Sequence, residues 1–146
     1  MIFLDTNVIL RYLTRSKDPA VQVMEQQAVA LFVAVERGEE LVTTSEVVFH
    51  EAAYILMSNS HYGIERSLVA GYLGALLALE GLRLPRGERS TIQRALELFE
   101  SNPGLELADC LIAARSERLG IPLATFDRKL AALPSVEAWH PDSVDS

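Results

Sequence analysis

A chain of 146 residues, 49% of them hydrophobic, carries enough apolar material for the core of one folded domain, which excludes a disordered tract. Its longest uncharged apolar stretch, residues 68–79, is too short for a bilayer span, and the opening MIFLDTN lacks the basic start of a secretory leader. Cys110 is the single cysteine, so no internal disulfide can form, and a net charge of −7 argues against a surface built mainly to grip phosphates.

Residues 2–4 are a short apolar run ending at Asp5, the pattern of a buried strand entering a polar turn. Residues 7–14 predict a short helix, with Asp5 or Thr6 placed to cap it. A second helix is expected over 19–37, stopped by Gly38. Residues 41–43 read as a strand, and Ser45 as the cap of a helix reaching about residue 59. The next helix covers 64–79, where Gly71 and Gly74 suggest close packing. A strand at 82–84 and a helix over 90–100 precede the breaker Asn102-Pro103-Gly104. Then come a helix over 105–119 closed by Gly120, a strand at 122–125, a helical turn at 127–132 and a last strand at 136–138. Short apolar strands alternating with longer helices predict a parallel α/β sheet covered on both faces, in one domain spanning 1–146. Ligands of such sheets bind beyond the carboxyl ends of the strands, where Asp5 and Asp127 fall.

Four acids stand out. Asp5 and Asp127 follow strands, although each could serve simply as a helix cap. Glu51 has Val47, Val48, Tyr54 and Ile55 at helical spacing, which places it in an apolar stripe. Glu46 lies in the first turn of the same helix, where a glutamate serves the dipole. Asp109 sits in LELADCLIAA, apolar nearly all round and expected to be buried. Buried acids need a partner, so Glu51 and Asp109 should find a salt bridge or a metal. Carboxylates gathered at one sheet edge repel one another, and a divalent cation relieves that conflict. All-oxygen donors point to Mg²⁺ or Mn²⁺; His50, His61 and His140 are scattered and lack the spacing of a zinc site. Hydrolysis of a phosphodiester by a metal-activated water suits such a centre. No Gly-rich phosphate loop is present, and Cys110 reads as a core residue.

With those residues in view, the chain resembles a PIN domain, and more narrowly the VapC-type toxins of toxin–antitoxin pairs. FLDTNVIL resembles the family's opening strand and turn, with Asp5 as the first acid and Asn7 as its polar companion. TSEVVFHEA resembles the segment that carries the family glutamate, here Glu51, and LADCLIAA the third motif, here Asp109. IPLATFDRKL resembles the last, with Asp127 as fourth acid and Thr125 as the hydroxyl before it. The resemblance implies a five-stranded parallel sheet between helices and an endoribonuclease that uses Mg²⁺ or Mn²⁺. Asp5, Glu51, Asp109 and Asp127 would hold the metal, and Asn7 and Thr125 would orient ligands and water. It also implies RNA as substrate, a homodimer and a cognate antitoxin as inhibitor, while the lone Cys110 and the short apolar runs lead to the expectation of a cytoplasmic location with no membrane partner.

Two rivals follow from the same residues. A haloacid-dehalogenase-like phosphohydrolase also opens on a strand ending in aspartate, but it needs an acid two positions later, where Asn7 stands. A catalytically inactive PIN-like binding module would fit the negative charge, and would gain if the acids paired with arginines. Arg11, Arg115 and Arg128 are the candidate partners, or else contacts to RNA.

Overall fold

The computed structural model describes residues 1–141. The last five residues of the expected domain, 142–146, lie outside the described residues. In chain order the elements are β1 (Ile2–Phe3), α1 (Thr6–Leu13), α2 (Pro19–Glu36), β2 (Val42–Thr43), α3 (Glu46–Met57), α4 (Arg66–Leu77), α5 (Glu88–Ser101), α6 (Leu107–Leu119) and α7 (Arg128–Ala131). Every expected helix is present, with ends moved by no more than two residues. No described helix is long and apolar enough to cross a membrane.

Caps explain several boundaries. Asp5 accepts the Thr6 N–H at 2.7 Å and starts α1 one residue early. Asp18 caps α2 through the Ala20 N–H, with Pro19 in the first turn, where a missing N–H costs nothing. Gly120 ends α6 in the left-handed region at φ +66°, a conformation that glycine takes without strain. Ser45 stands at the start of α3, but its side chain makes no capping bond.

The core is a continuous cluster to which all seven described helices contribute, with Phe32, Phe49 and Phe99 among its largest fully buried side chains. Tyr12 of α1 stacks on Phe32 of α2 at 4.2 Å between ring centres, and α5 packs along α6 and α4. Leu4, Val42 and Leu82 bring the strand segments into this cluster.

The sheet is smaller than expected. β1 and β2 pair in parallel, Ile2 with Val42 and Phe3 with Thr43, and Leu82 extends the ladder beside Val42 through one bridge. Leu123 and Ala138 form a separate parallel bridge, held by Leu123 N–H to Glu137 O and Trp139 N–H to Leu123 O, both 2.8 Å. Among the described residues no ladder joins this pair to β1, so the five expected strands form two groups instead of one sheet. Two features favour this outcome. Paired segments of one or two residues give little cooperative support, and Pro122 has no N–H to donate to a neighbouring strand. Coverage on both faces fails at the same place, since Ile2 and Phe3 are exposed.

Gly81 is wedged where this small sheet meets the end of α2. Its N–H reaches Val35 O and its carbonyl accepts from Val42 N–H, both at 2.9 Å. A Cβ there would lie 2.3 Å from Glu40 O. Gly71 and Gly74 behave oppositely: a Cβ on either meets nothing within 4 Å, so they do not serve close helix packing.

Candidate active site

The end of β1, the start of α1 and the middle of α3 converge on one side chain. Thr6 is 3% exposed, and its hydroxyl donates to Glu51 Oε2 at 3.0 Å. Its backbone N–H is held by Asp5 Oδ1. Asp5 and Glu51, far apart in sequence, are thereby brought to either side of one buried threonine. Thr44, also buried, donates its hydroxyl to Leu4 O at 3.0 Å and fixes the end of β1 against the end of β2. Neither threonine was singled out from the sequence as part of the site. The only signal for Thr6 was its place between Asp5 and Asn7.

Glu51 itself is exposed, contrary to the expectation of a buried stripe. The reason is that its apolar neighbours Val47 and Tyr54 are exposed too, at 66% and 59%, while Val48, Ala52 and Leu56 face the core. The apolar face of α3 is broader than its buried face. Asp109 is half-buried at the start of α6, and Ile112 beside it is 49% exposed, so α6 is not enclosed all round. Asp109 makes no salt bridge among the described residues; its Oδ2 accepts the Glu106 N–H at 3.1 Å, a helix-start contact.

Asp127 caps α7, with Oδ1 accepting from Lys129 N–H at 2.9 Å and Leu130 N–H at 3.2 Å. Thr125 Oγ1 accepts the Asp127 N–H at 3.1 Å, so the two form one turn. Asn7 is exposed on α1, one turn from Arg11. The donor chemistry of the four acids fits a hard cation, since it is all oxygen. Among the described residues, however, no three acids, cysteines or histidines stand close enough to share one ion. The convergence that is present is the Asp5–Thr6–Glu51 cluster.

The arginines are largely engaged. Arg115 Nη2 of α6 bonds Glu46 of α3 at 2.5 Å and Glu88 of α5 at 3.4 Å; the Glu46 bond foremost raises the guanidinium's pKa. Glu46 therefore serves a cross-helix pair as well as its own first turn. Residues 83–94 hold four arginines, of which Arg83 and Arg89 donate to the carbonyls of Glu80 and Leu82, and Arg94 pairs with Glu97 and Glu117. Burial, reinforced by the charge of Asp109, pushes the Cys110 thiol up to about 11, which keeps it protonated and inert at neutral pH.

Comparison with curated proteins returned no match. The PIN domain family profile, by contrast, matches residues 2–135, a span that includes Asp5, Thr6, Glu51, Asp109 and Asp127. PIN domains are generally nucleases that use divalent metal ions. On a match over nearly the whole chain, this protein belongs to the PIN domain family.

Proposed function

We propose that the chain is an endoribonuclease that depends on Mg²⁺ or Mn²⁺. The observation that carries this reading is the meeting of Asp5 and Glu51 on Thr6 at the end of β1, and it is supported by the general tendency of α/β sheets to bind ligands beyond the carboxyl ends of their strands. Mg²⁺ is commonly held by one or two carboxylates and several waters, a demand that Asp5 and Glu51 suit, with Asp109 and Asp127 as the further acids. Such an ion supplies charge stabilisation and a lowered pKa for its water. The chain's own part is positional: Thr6 fixes one oxygen of Glu51 and leaves the other free, while Asn7 and Thr125 hold polar groups beside the acids.

The resemblance of the four motifs to VapC-type toxins supports a finer reading, a toxin that forms a homodimer and is silenced by a cognate antitoxin. A basic antitoxin side chain entering the acidic site has a plain electrostatic rationale. A second reading, a PIN-like binding module without activity, draws on Asp109 and Asp127 each spending one carboxylate oxygen on a helix start, while the other oxygen of each makes no bond to the described residues.

Cleavage of mixed cellular RNA by the purified protein separates the two. The nuclease reading expects cutting with Mg²⁺ or Mn²⁺ that EDTA abolishes and that Glu51→Gln and Asp109→Asn each reduce by at least about a hundredfold. The amide of Asp109→Asn keeps an acceptor for the Glu106 N–H, so that variant should stay folded. Folded wild-type protein that cuts nothing with either metal would hand the assignment to the binding module.

A further inference from the structure

A groove of about 370 Å³ runs between α1 and α2 from the polar end of the site. Asn7, Val8 and Arg11 line it from α1, and Met24, Gln27 and Leu31 from α2. Asn7 and Arg11 are one helical turn apart, about 6 Å along the axis, so a cation stands one turn away from the residue two positions after Asp5.

Arg11 differs from Arg115 of α6. Arg115 is held between two glutamates, whereas Arg11 has no carboxylate partner among the described residues. Its Nη1 makes only a long bond, 3.4 Å, to Tyr62 Oη, and its Nε is closed off from water without an acceptor. It is the outer edge of the guanidinium, with one long bond and no carboxylate, that keeps donors in hand for an anion entering the groove. The planar, permanently charged fork of arginine suits a phosphate best. The walls around it suit a base: Val8, Met24 and Leu31 offer apolar surface, and Gln27 offers an amide that can donate and accept. The volume lies at the small end of ligand pockets, the size of one nucleotide-scale group rather than a duplex.

We infer that the α1–α2 groove is a binding subsite for a single-stranded RNA segment flanking the scissile phosphate, with Arg11 on a backbone phosphate and Gln27 facing the adjoining base. This rests on the nuclease reading for its substrate but not for its test. Binding of a fluorescently labelled single-stranded RNA oligonucleotide is measured by anisotropy in EDTA, where no metal-dependent cleavage intervenes, across a salt series. Arg11→Gln is expected to weaken binding about tenfold at low salt and to lower the slope of log K against log salt by about 0.7, the value of one phosphate contact on a single strand. Arg11→Lys should keep the slope. Gln27→Lys, which adds a cation to the opposite wall, should raise it by a similar amount and provides the test should Arg11→Gln fail to fold. Wild-type affinity and slope in Arg11→Gln, an unchanged slope in Gln27→Lys, or no RNA binding by the wild type would each overturn the subsite. If these shifts appear and the wild type never cleaves with metal, the subsite stands and the catalytic reading falls.

Discussion

The buried hydroxyl of Thr6 donates a hydrogen bond to the exposed Glu51 carboxylate, and the charge on the acceptor makes that bond stronger than one between neutral groups. Thr6→Val keeps the shape and removes the donor. The expected cost is about 1–2 kcal/mol of stability, since one hydrogen bond to a charged group is lost. RNA cleavage should fall about tenfold while Thr6→Ser restores it, because the serine returns the hydroxyl. Undiminished cutting by a folded Thr6→Val protein would show that Glu51 needs no such support. Cys110 gives a second residue-scale expectation. With its thiol pushed from the ordinary 9.0 to about 11, the native chain holds roughly a hundredfold less thiolate near pH 8 than the unfolded chain, and iodoacetamide should alkylate it correspondingly slowly. The sign for stability follows: the contribution is whole below pH 9, where both states are protonated, and is lost as pH rises from 9 to 11. Urea melts of wild type and Cys110→Ala across that window should differ in slope. Asp5 and Asp127 were legible as caps from the sequence, and both cap. Thr6 was not legible as a ligand of Glu51, because a bond across 45 positions leaves no trace in local pattern.

At the scale of elements, helices were readable and strands only partly so. Helical periodicity accumulates over the 8 to 18 residues of α1 to α6, whereas β1 and β2 offer two residues each. Apolar spacing also failed to tell buried from exposed on α3, since Val47 and Tyr54 share the stripe of Glu51 without being covered. Links between elements made by side chain to backbone were equally silent. Arg66, in the first turn of α4, donates to Phe99 O, Leu105 O and Pro103 O, and lies over the Phe99 ring at 4.2 Å. It fastens α4 to the end of α5 and to the turn before α6. Arg66→Met retains most of the stem and loses the donors and the charge, so roughly 2–4 kcal/mol of stability should go. Urea denaturation reads this as a lower midpoint with an unchanged m value. A cost under 0.5 kcal/mol would mean that the turn holds without its arginine.

At the scale of the molecule, two sheet fragments and a continuous helical core are held by packing rather than by an extended ladder. The expectation of a single sheet came from counting extended segments, and a count cannot say which segments find each other. Gly81 sits at the most crowded junction of this arrangement, while Gly71 and Gly74 lie in the open on α4. For anyone hardening the protein by substitution, the three glycines that look alike on paper separate into opposite classes. Gly71→Ala and Gly74→Ala should each gain up to about 1 kcal/mol, measurable as a higher melting temperature, because alanine restricts the unfolded chain and favours helix. Gly81→Ala would drive a methyl into the carbonyls of Glu40 and Val35 and push α2 off the sheet. A library built to raise thermal tolerance would therefore be enriched at two of these positions and emptied at the third.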